Sequence, residues 1–128
     1  MTVPYKPAGY TSLAPYLVVD GAEGTIAFLE KVFGAQRLRR HDAPDGRVRH
    51  AEVRIDDTVL MLADGLEGWP PMPANVHVYV KDVDATFRAA LEAGAESVQE
   101  PQKKDDADRR GGFKDAGGTT WWVGTQVE

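Results

Sequence analysis

The sequence predicts an α+β fold in which two β-α-β-β-β modules form a cup-shaped mixed sheet. Three observations support this prediction. The same order of elements occurs twice, each predicted helix follows a short apolar strand that ends in Asp, and each helix ends at a glycine. The two glycines, Gly34 and Gly94, lie 60 positions apart in a chain of 128 residues. Because such a repeat sets two sheets against each other, the concave space between them is the expected ligand site.

The first module is predicted to cover about residues 12–64, after an extended N-terminal arm. Its helix is expected from apolar side chains spaced three, four and seven positions apart, and Asp20 is its expected N-cap. The segment Ala43-Pro44-Asp45-Gly46 is typical of a hairpin turn between two strands. The strand, the helix and the three further strands are predicted at 12–20, 23–32, 35–41, 47–55 and 58–63.

A joint with two glycines and three prolines, at about 65–73, separates this module from the second, at about 74–128. The charged stretch 103–110 is predicted to be part of a mobile loop, because glycine and adjacent like charges disfavour order. The strand, the helix and the three further strands of the second module are predicted at 75–80, 84–92, 97–100, 111–114 and 119–123.

Composition restricts the classes of protein that remain. With 42% hydrophobic and 27% charged residues, the chain is expected to be soluble and globular, in one domain. The absence of cysteine excludes disulfides, thiol catalysis and Cys-ligated zinc, and favours a cytoplasmic location. The net charge of −5 argues against a nucleic-acid partner. No apolar run is long enough to span a membrane, and no signal peptide is evident.

Four polar residues are expected to face the cup. His50 and Glu52 are two positions apart on one strand and therefore share a face, and His77 and Tyr79 should point into the same space. One interpretation is a His-Glu-His metal site or a general acid/base group. The other is a polar lining, hydrogen-bonded to its neighbours, or a dimer contact.

Five arginines crowd the predicted hairpin of the first module. They could clamp an anionic ligand, or they could form salt bridges along a charged edge strand that discourages pairing with other chains. The second interpretation is favoured. The residues concerned are Arg37, Arg39, Arg40, Arg47 and Arg49.

Six short motifs, in their order and spacing, resemble the vicinal oxygen chelate superfamily, and within it the PhnB-like subgroup. This superfamily includes glyoxalase I, extradiol dioxygenases and bleomycin-resistance proteins. The resemblance implies paired β-α-β-β-β modules whose sheets curve around a cup, and assembly as a homodimer. The motifs are Pro15 to Gly21, Phe33-Gly34-Ala35, Pro44-Asp45-Gly46, His50-Ala51-Glu52, Val59 to Asp64 and Val80 to Asp84.

The resemblance also implies where a metal ion would sit. Metal-dependent members hold it with four side chains from the first and last strands of the two modules, and the corresponding positions are Leu13, Met61, Asn75 and Trp122. None of these is a good ligand for a hard cation, so the family's metal site is expected to be lost. No cofactor is expected. Trp122, at a former ligand position, would either provide a stacking platform for a planar or cationic ligand or fill the cavity.

The leading hypothesis is a metal-independent protein that binds an apolar or aromatic small molecule in the cup. The alternative is a lyase, isomerase or dioxygenase that uses a displaced metal or acid-base chemistry at His50 and Glu52. Arg109 is included as a ligand contact because it matches an arginine of the subgroup. The expected lining is Leu13, Leu17, His50, Glu52, Met61, His77, Tyr79, Arg109 and Trp122.

Overall fold

The computed structural model of the protein describes residues 2–128, in which two four-stranded mixed sheets and two helices occur. The order strand, helix and three strands occurs twice, so the predicted α+β class and its two β-α-β-β-β modules are confirmed. The first module contains β1 (Tyr16–Val19), α1 (Ala22–Phe33), β2 (Gln36–Asp42), β3 (Val48–Ile55) and β4 (Thr58–Asp64). The second contains β5 (Ala74–Tyr79), α2 (Val83–Glu92), β6 (Glu96–Lys103), β7 (Asp108–Lys114) and β8 (Thr119–Gln126).

The two sheets have the same topology and the same register. Their strand orders are β1-β4-β3-β2 and β5-β8-β7-β6, and the first and last strands of each module run parallel. Tyr16 lies opposite Met61 in the first sheet, and His77 lies opposite Trp122 in the second. The two residues of each pair share a face of their sheet. Because each pair joins the first and last strands of its module, the two pairs occupy equivalent positions.

One hydrophobic core joins the modules. The ring of Phe113 on β7 lies 6.0 Å from Phe28 and 6.2 Å from Phe33, both on α1, and 6.3 Å from Phe87 on α2. Phe33 also lies 5.5 Å from the fully buried Trp121 of β8. The helix of the first module therefore packs against the sheet of the second, and each sheet turns its other face away from this core.

The helix ends follow the sequence signals in three of four cases. Gly34 ends α1 in the left-handed conformation, Gly94 follows α2 with a positive φ, and the carboxylate of Asp82 caps α2 by accepting from Ala85 N at 3.1 Å. The expectation that Asp20 caps α1 is wrong. Gly21 is the N-cap residue, with φ at 84°, and a side chain from β4 supplies the missing acceptor.

That side chain is Asp64. One of its carboxylate oxygens accepts from Ala22 N at 2.6 Å, at the start of α1, and the other accepts from Val48 N at 2.7 Å, at the start of β3. The Asp20 N–H instead donates to Gly117 O in the turn between β7 and β8, which links the two modules.

The predicted mobile loop is much shorter than expected. β6 continues to Lys103 and β7 begins at Asp108, so only residues 104–107 connect them. The charges pair rather than repel: Arg110 binds Asp106 and Asp108, at 2.9 and 2.7 Å. Neither helix in residues 2–128 is long and apolar enough to cross a membrane.

Replacing Asp115 should destabilise the fold, because this buried carboxylate accepts from Trp121 Nε1 at 2.9 Å and from Thr119 N at 3.0 Å. Asp115→Ala leaves both donors without this acceptor and should lower the free energy of unfolding by about 2–3 kcal/mol. Urea denaturation measures the effect, with Asp105→Ala in the exposed 104–107 connection as control. Equal midpoints for the two variants would contradict this account.

Candidate functional site

The two outer sheet faces carry most of the residues predicted to bind ligand. The first face comprises Tyr16, His50, Glu52 and Met61, which the register of β1, β3 and β4 places on one side of the first sheet. The second face comprises His77, Tyr79, Arg110, Gly112, Trp122 and Gly124 on β5, β7 and β8. Since both faces point away from the shared core, the predicted lining is divided into two groups within one chain.

A chain of hydrogen bonds crosses the first face. The oxygen of Tyr16 lies 3.2 Å from Nδ1 of His50, and Nε2 of His50 lies 2.8 Å from Oε2 of Glu52. The phenol of Tyr10, in the N-terminal arm, donates to Oε1 of Glu52. Trp69 stacks on Tyr16 with the ring centres 5.4 Å apart.

Glu52 carries a negative charge although it is only 5% exposed. Burial alone would raise its pKa, but the hydrogen bonds from His50 and Tyr10 and the charge of Arg39 outweigh burial and hold the pKa below its usual value. An ionised Glu52 accepts a hydrogen bond from Nε2–H of His50, which leaves Nδ1 to accept one from the Tyr16 hydroxyl. Burial raises the pKa of Tyr16 and keeps that hydroxyl protonated.

Two glycines allow aromatic rings to lie flat on the second face. A Cβ atom at Gly112 would lie 2.7 Å from Cε3 of Trp122, and one at Gly124 would lie 3.3 Å from Nε2 of His77. Nε1 of Trp122 donates to Asn75 Oδ1 at 3.1 Å, which fixes the orientation of the indole. Tyr79 meets His77 edge-on, with the ring centres 4.7 Å apart. His77, Tyr79 and Trp122 therefore form an aromatic surface on the neighbouring strands β5 and β8.

Charged groups border this surface and hold its rings. Oδ2 of Asp108 accepts from the Tyr79 hydroxyl at 2.6 Å and from Arg110 Nη2 at 2.7 Å. Nε of Arg110 lies 3.2 Å from Nε2 of His77. Burial and then the charge of Arg110 lower the pKa of His77, although Asp108 opposes the shift, so the ring is neutral and accepts from Arg110.

Each outer face has its own cavity. A cavity of about 280 Å³ adjoins the second face, and its walls include Gln99, Asp106, Arg110 and Trp122. A cavity of about 250 Å³ lies between the N-terminal arm and the first face, where Arg39 and Met61 line it. Both cavities are slightly smaller than typical small-molecule sites, which begin at about 300 Å³.

Three residues expected in the lining lie elsewhere. Leu13 is 86% exposed and precedes β1, which begins only at Tyr16. Leu17 is 4% exposed and packs in the core, because alternation along β1 puts Tyr16 on the outer face. Arg109 points toward the helices, where its Nη2 binds Asp84 at 2.8 Å. Its neighbour Arg110 occupies the second face instead.

The positions equivalent to the family's metal ligands do not fit a hard cation. The strand register differs from the predicted alignment, because Met61 pairs with Tyr16 rather than Leu13, and Trp122 pairs with His77 rather than Asn75. The side chains at these positions are therefore a thioether, an indole, a phenol and one imidazole. Within residues 2–128 no group of three His, Cys, Asp or Glu side chains is arranged to hold a metal ion. The alternative site formed by His50, Glu52 and His77 is not assembled, since His77 belongs to the other sheet.

Most arginines of the β2–β3 hairpin form salt bridges, as the favoured interpretation predicted. Arg37 binds Glu23 and Glu30, and Arg40 binds Glu23 and Asp42. Hydrogen bonds from Arg37 and Arg40 lower the pKa of Glu23 to about 2. Arg39 differs, because it reaches Tyr10 and Glu52 on the first face.

Several residues of the candidate site were not predicted from the sequence. Tyr16 and Arg110 follow from alternation once the strand bounds are known. Gly112 was signalled by the adjacent glycines before Phe113, since glycine within a strand often marks the close approach of another group. Tyr10 gave no signal, because its contact with Glu52 spans 42 residues.

Adding one methyl group at Gly112 should displace Trp122, because the new Cβ would lie 2.7 Å from the indole. We expect Gly112→Ala to shift the tryptophan emission maximum and to reduce near-ultraviolet dichroism. Gly24→Ala on α1 is the matched control, since nothing lies within 4 Å of a Cβ there and alanine favours a helix. Identical spectra for the two variants would show that the ring does not depend on this glycine.

The chain matches the model of the Glyoxalase/Bleomycin resistance protein/Dioxygenase superfamily over residues 10–123. It is 37% identical over 138 residues to the uncharacterized protein Rv0887c of Mycobacterium tuberculosis, covering 99% of this chain and 79% of that one. The uncharacterized protein Mb0911c of Mycobacterium bovis is also 37% identical over 138 residues, with 99% of this chain and 88% of that one covered.

Solved structures have the same fold. TioX from Micromonospora sp. ML1 has a TM-score of 0.77 at 25% identity, with 91% of this chain and 98% of that chain covered. TnmS3, an antibiotic binding protein from Streptomyces sp. CB03234, has a TM-score of 0.69 at 23% identity, with 94% and 99% covered. The fosfomycin resistance protein FosX from Mesorhizobium loti has a TM-score of 0.66 at 17% identity, with 90% and 91% covered. Sequence and fold agree, and the chain belongs to the glyoxalase/bleomycin resistance protein/dioxygenase superfamily.

Proposed function

We propose that the protein binds a planar aromatic small molecule without a metal ion, by stacking it on the second face. The observation that carries this proposal is the flat, outward-facing indole of Trp122 over Gly112, beside His77 and Tyr79. Tyr79 is 61% exposed although its ring is held by Asp108, so it is ordered and still free to make contacts. Ordered aromatic rings bind ligands with little loss of side-chain entropy.

The family comparisons support this proposal. TnmS3 is described as an antibiotic binding protein and FosX as a fosfomycin resistance protein, so the fold serves small-molecule recognition in two relatives. The side chains at the metal-ligand positions of this chain favour stacking over coordination of a hard cation. A protein that sequesters a compound needs affinity and no reacting group, which fits such a surface.

We further propose that a homodimer completes the site. The first and second faces point away from one shared core, so a single chain cannot enclose a ligand between them. A second copy could set its first face, with Tyr16 and Trp69, against the second face of the first copy. The ligand would then lie between two aromatic surfaces. Assignment to the PhnB-like subgroup and a cytoplasmic location are part of the same proposal.

A second candidate function is catalysis by proton transfer on the first face. The aligned groups of Tyr16, His50 and Glu52 favour it, because a buried carboxylate orients an imidazole whose other nitrogen faces a hydroxyl. This arrangement would let His50 take a proton from a bound hydroxyl or acidic C–H group.

Removing the indole should weaken binding of planar aromatic compounds. We expect anthraquinone-2-sulfonate or acridine to bind saturably, and Trp122→Ala to reduce the affinity roughly tenfold through lost stacking and apolar contact. Equilibrium dialysis measures the affinity, and light scattering in the same solutions reports whether two chains are present. Leu91→Ala on α2, outside both faces, is the control.

Two results would contradict the binding proposal. One is the absence of saturable binding by either compound, as expected if Trp122 only fills space. The other is equal affinity of wild type and Trp122→Ala. A monomer at concentrations where the ligand binds would contradict the shared site.

Catalysis predicts a different effect at His50. If the first face transfers protons, His50→Gln should abolish conversion of a bound compound and leave its dissociation constant within about twofold, since the amide keeps similar hydrogen bonds but cannot act as a base. Chromatography of the ligand after prolonged incubation measures conversion. Full recovery of the compound from wild type would exclude catalysis on that compound and leave binding alone.

A further inference from the structure

The N-terminal arm places a phenol in the first face. Tyr10 donates its hydroxyl hydrogen to Oε1 of Glu52, and the guanidinium carbon of Arg39 lies 5.0 Å from the centre of its ring. Nε of Arg39 also lies 3.3 Å from the Tyr10 oxygen. Tyr10 therefore makes the contacts that a bound phenol would make, with Glu52 at its hydroxyl and Arg39 at its ring.

Only a few hydrogen bonds fasten the arm around Tyr10. Gly9 O accepts from Arg54 Nη2 at 3.0 Å, and Thr11 Oγ1 accepts from Val59 N at 3.3 Å. The Arg54 bond is exposed, so water can replace it. The Thr11 bond is part-buried, and Val59 N meets water when the arm moves away. Farther out, Tyr5 is 94% exposed. The arm can therefore leave the first face without disturbing the core.

Space for a ligand already exists beneath the arm. The cavity of about 250 Å³ is bounded by arm residues on one side and by Arg39 and Met61 on the other. Moving the arm would join this cavity to the volume that the Tyr10 ring occupies. The combined site would hold a ring larger than a single phenol.

The polar groups define which ligand fits. Glu52 is ionised and can only accept hydrogen bonds, so an anionic group would be repelled from it. A cation would meet the charge of Arg39, which lies 3.4 Å from the same carboxylate. A neutral donor on an aromatic ring satisfies both groups, because the guanidinium can pack against the ring face.

We propose that the first face is a binding site for hydroxyaryl groups and that Tyr10 is its internal occupant, displaced when such a ligand enters. This inference rests on the proposed function, because it assigns a ligand class to the first face. In the proposed dimer, that face lies against the aromatic surface of the partner copy. The arm acts as a competitor that raises the concentration of ligand needed for binding.

The test uses p-cresol, which reproduces the tyrosine side chain, with the 128-residue chain. We expect Tyr10→Ala to bind p-cresol roughly tenfold more tightly than wild type, because a hydrogen bond to a charged group no longer competes. Toluene, which lacks the hydroxyl, should bind Tyr10→Ala at least about fivefold more weakly than p-cresol does. Tyr5→Ala, which removes an exposed tyrosine from the same arm, should match wild type.

Two further measurements distinguish binding that depends on the ligand hydroxyl from nonspecific filling of a cavity. Adding Glu52→Gln to Tyr10→Ala should remove most of the preference for p-cresol over toluene. In wild type, saturating p-cresol should speed hydrogen exchange at the Val59 amide, because that amide loses Thr11 when the arm leaves. Tyr10→Phe keeps the ring and removes only the hydroxyl, so its affinity for p-cresol should lie between those of wild type and Tyr10→Ala. If the alanine variant folds poorly, the comparison of Tyr10→Phe with wild type takes its place.

Equal p-cresol affinity for wild type, Tyr10→Phe and Tyr10→Ala would overturn this inference, as would equal binding of toluene and p-cresol. The binding proposal for the second face would survive either result, because Trp122 and the planar dyes test it separately. Conversely, the planar dyes could fail to bind while p-cresol still binds more tightly to Tyr10→Ala than to wild type. That result would support the phenol site on the first face and contradict the binding proposal for the second face.

Discussion

The packing of both modules around Phe113 and Trp121 determines what every other surface can do. Trp121 is fully buried, and Asp115 satisfies its indole N–H inside the core. Because α1 and α2 both pack here, the inner faces of the two sheets are covered. The outer faces carry the polar and aromatic side chains that could meet a ligand or a second chain. The proposed recognition would therefore use side chains that alternate with core residues on the same strands.

This alternation ties the candidate site closely to stability. Trp122 follows Trp121 directly, so one residue anchors the core and the next forms the aromatic surface. Glu52 lies between Ala51 and Val53, which are both buried in the core. A shift of one residue in either strand would exchange the two roles, and in β3 it would also turn Glu52 and Arg54 toward the core. The packing of the inner faces therefore fixes which side chains lie on the outer faces.

The sequence predicted those parts of the molecule that depend on local pattern. The repeat, the two helices and the stop at Gly34 all follow from periodicity or turn chemistry. Parts set by distant partners were not predictable. Leu17 was expected in the lining, but the alternation along β1 turns Tyr16 outward and Leu17 into the core. Arg109 was expected to face the ligand by its match to the subgroup, and its actual partner, Asp84, lies 25 positions away in the sequence. Nothing near Tyr10 in the sequence indicates that its hydroxyl meets Glu52.

The two helices acquire their N-terminal acceptors in different ways, and this affects how the chain assembles. Asp82 adjoins α2, so that helix can close its own end as soon as one turn has formed. The acceptor for α1 is Asp64, which arrives 42 residues after Ala22. During synthesis the first helix must wait for β4 to be added to the sheet before its amide is satisfied, whereas the second needs no distant segment. Nascent chains that stop short of residue 64 would hold an incompletely capped helix, so the first module is expected to become stable in one step.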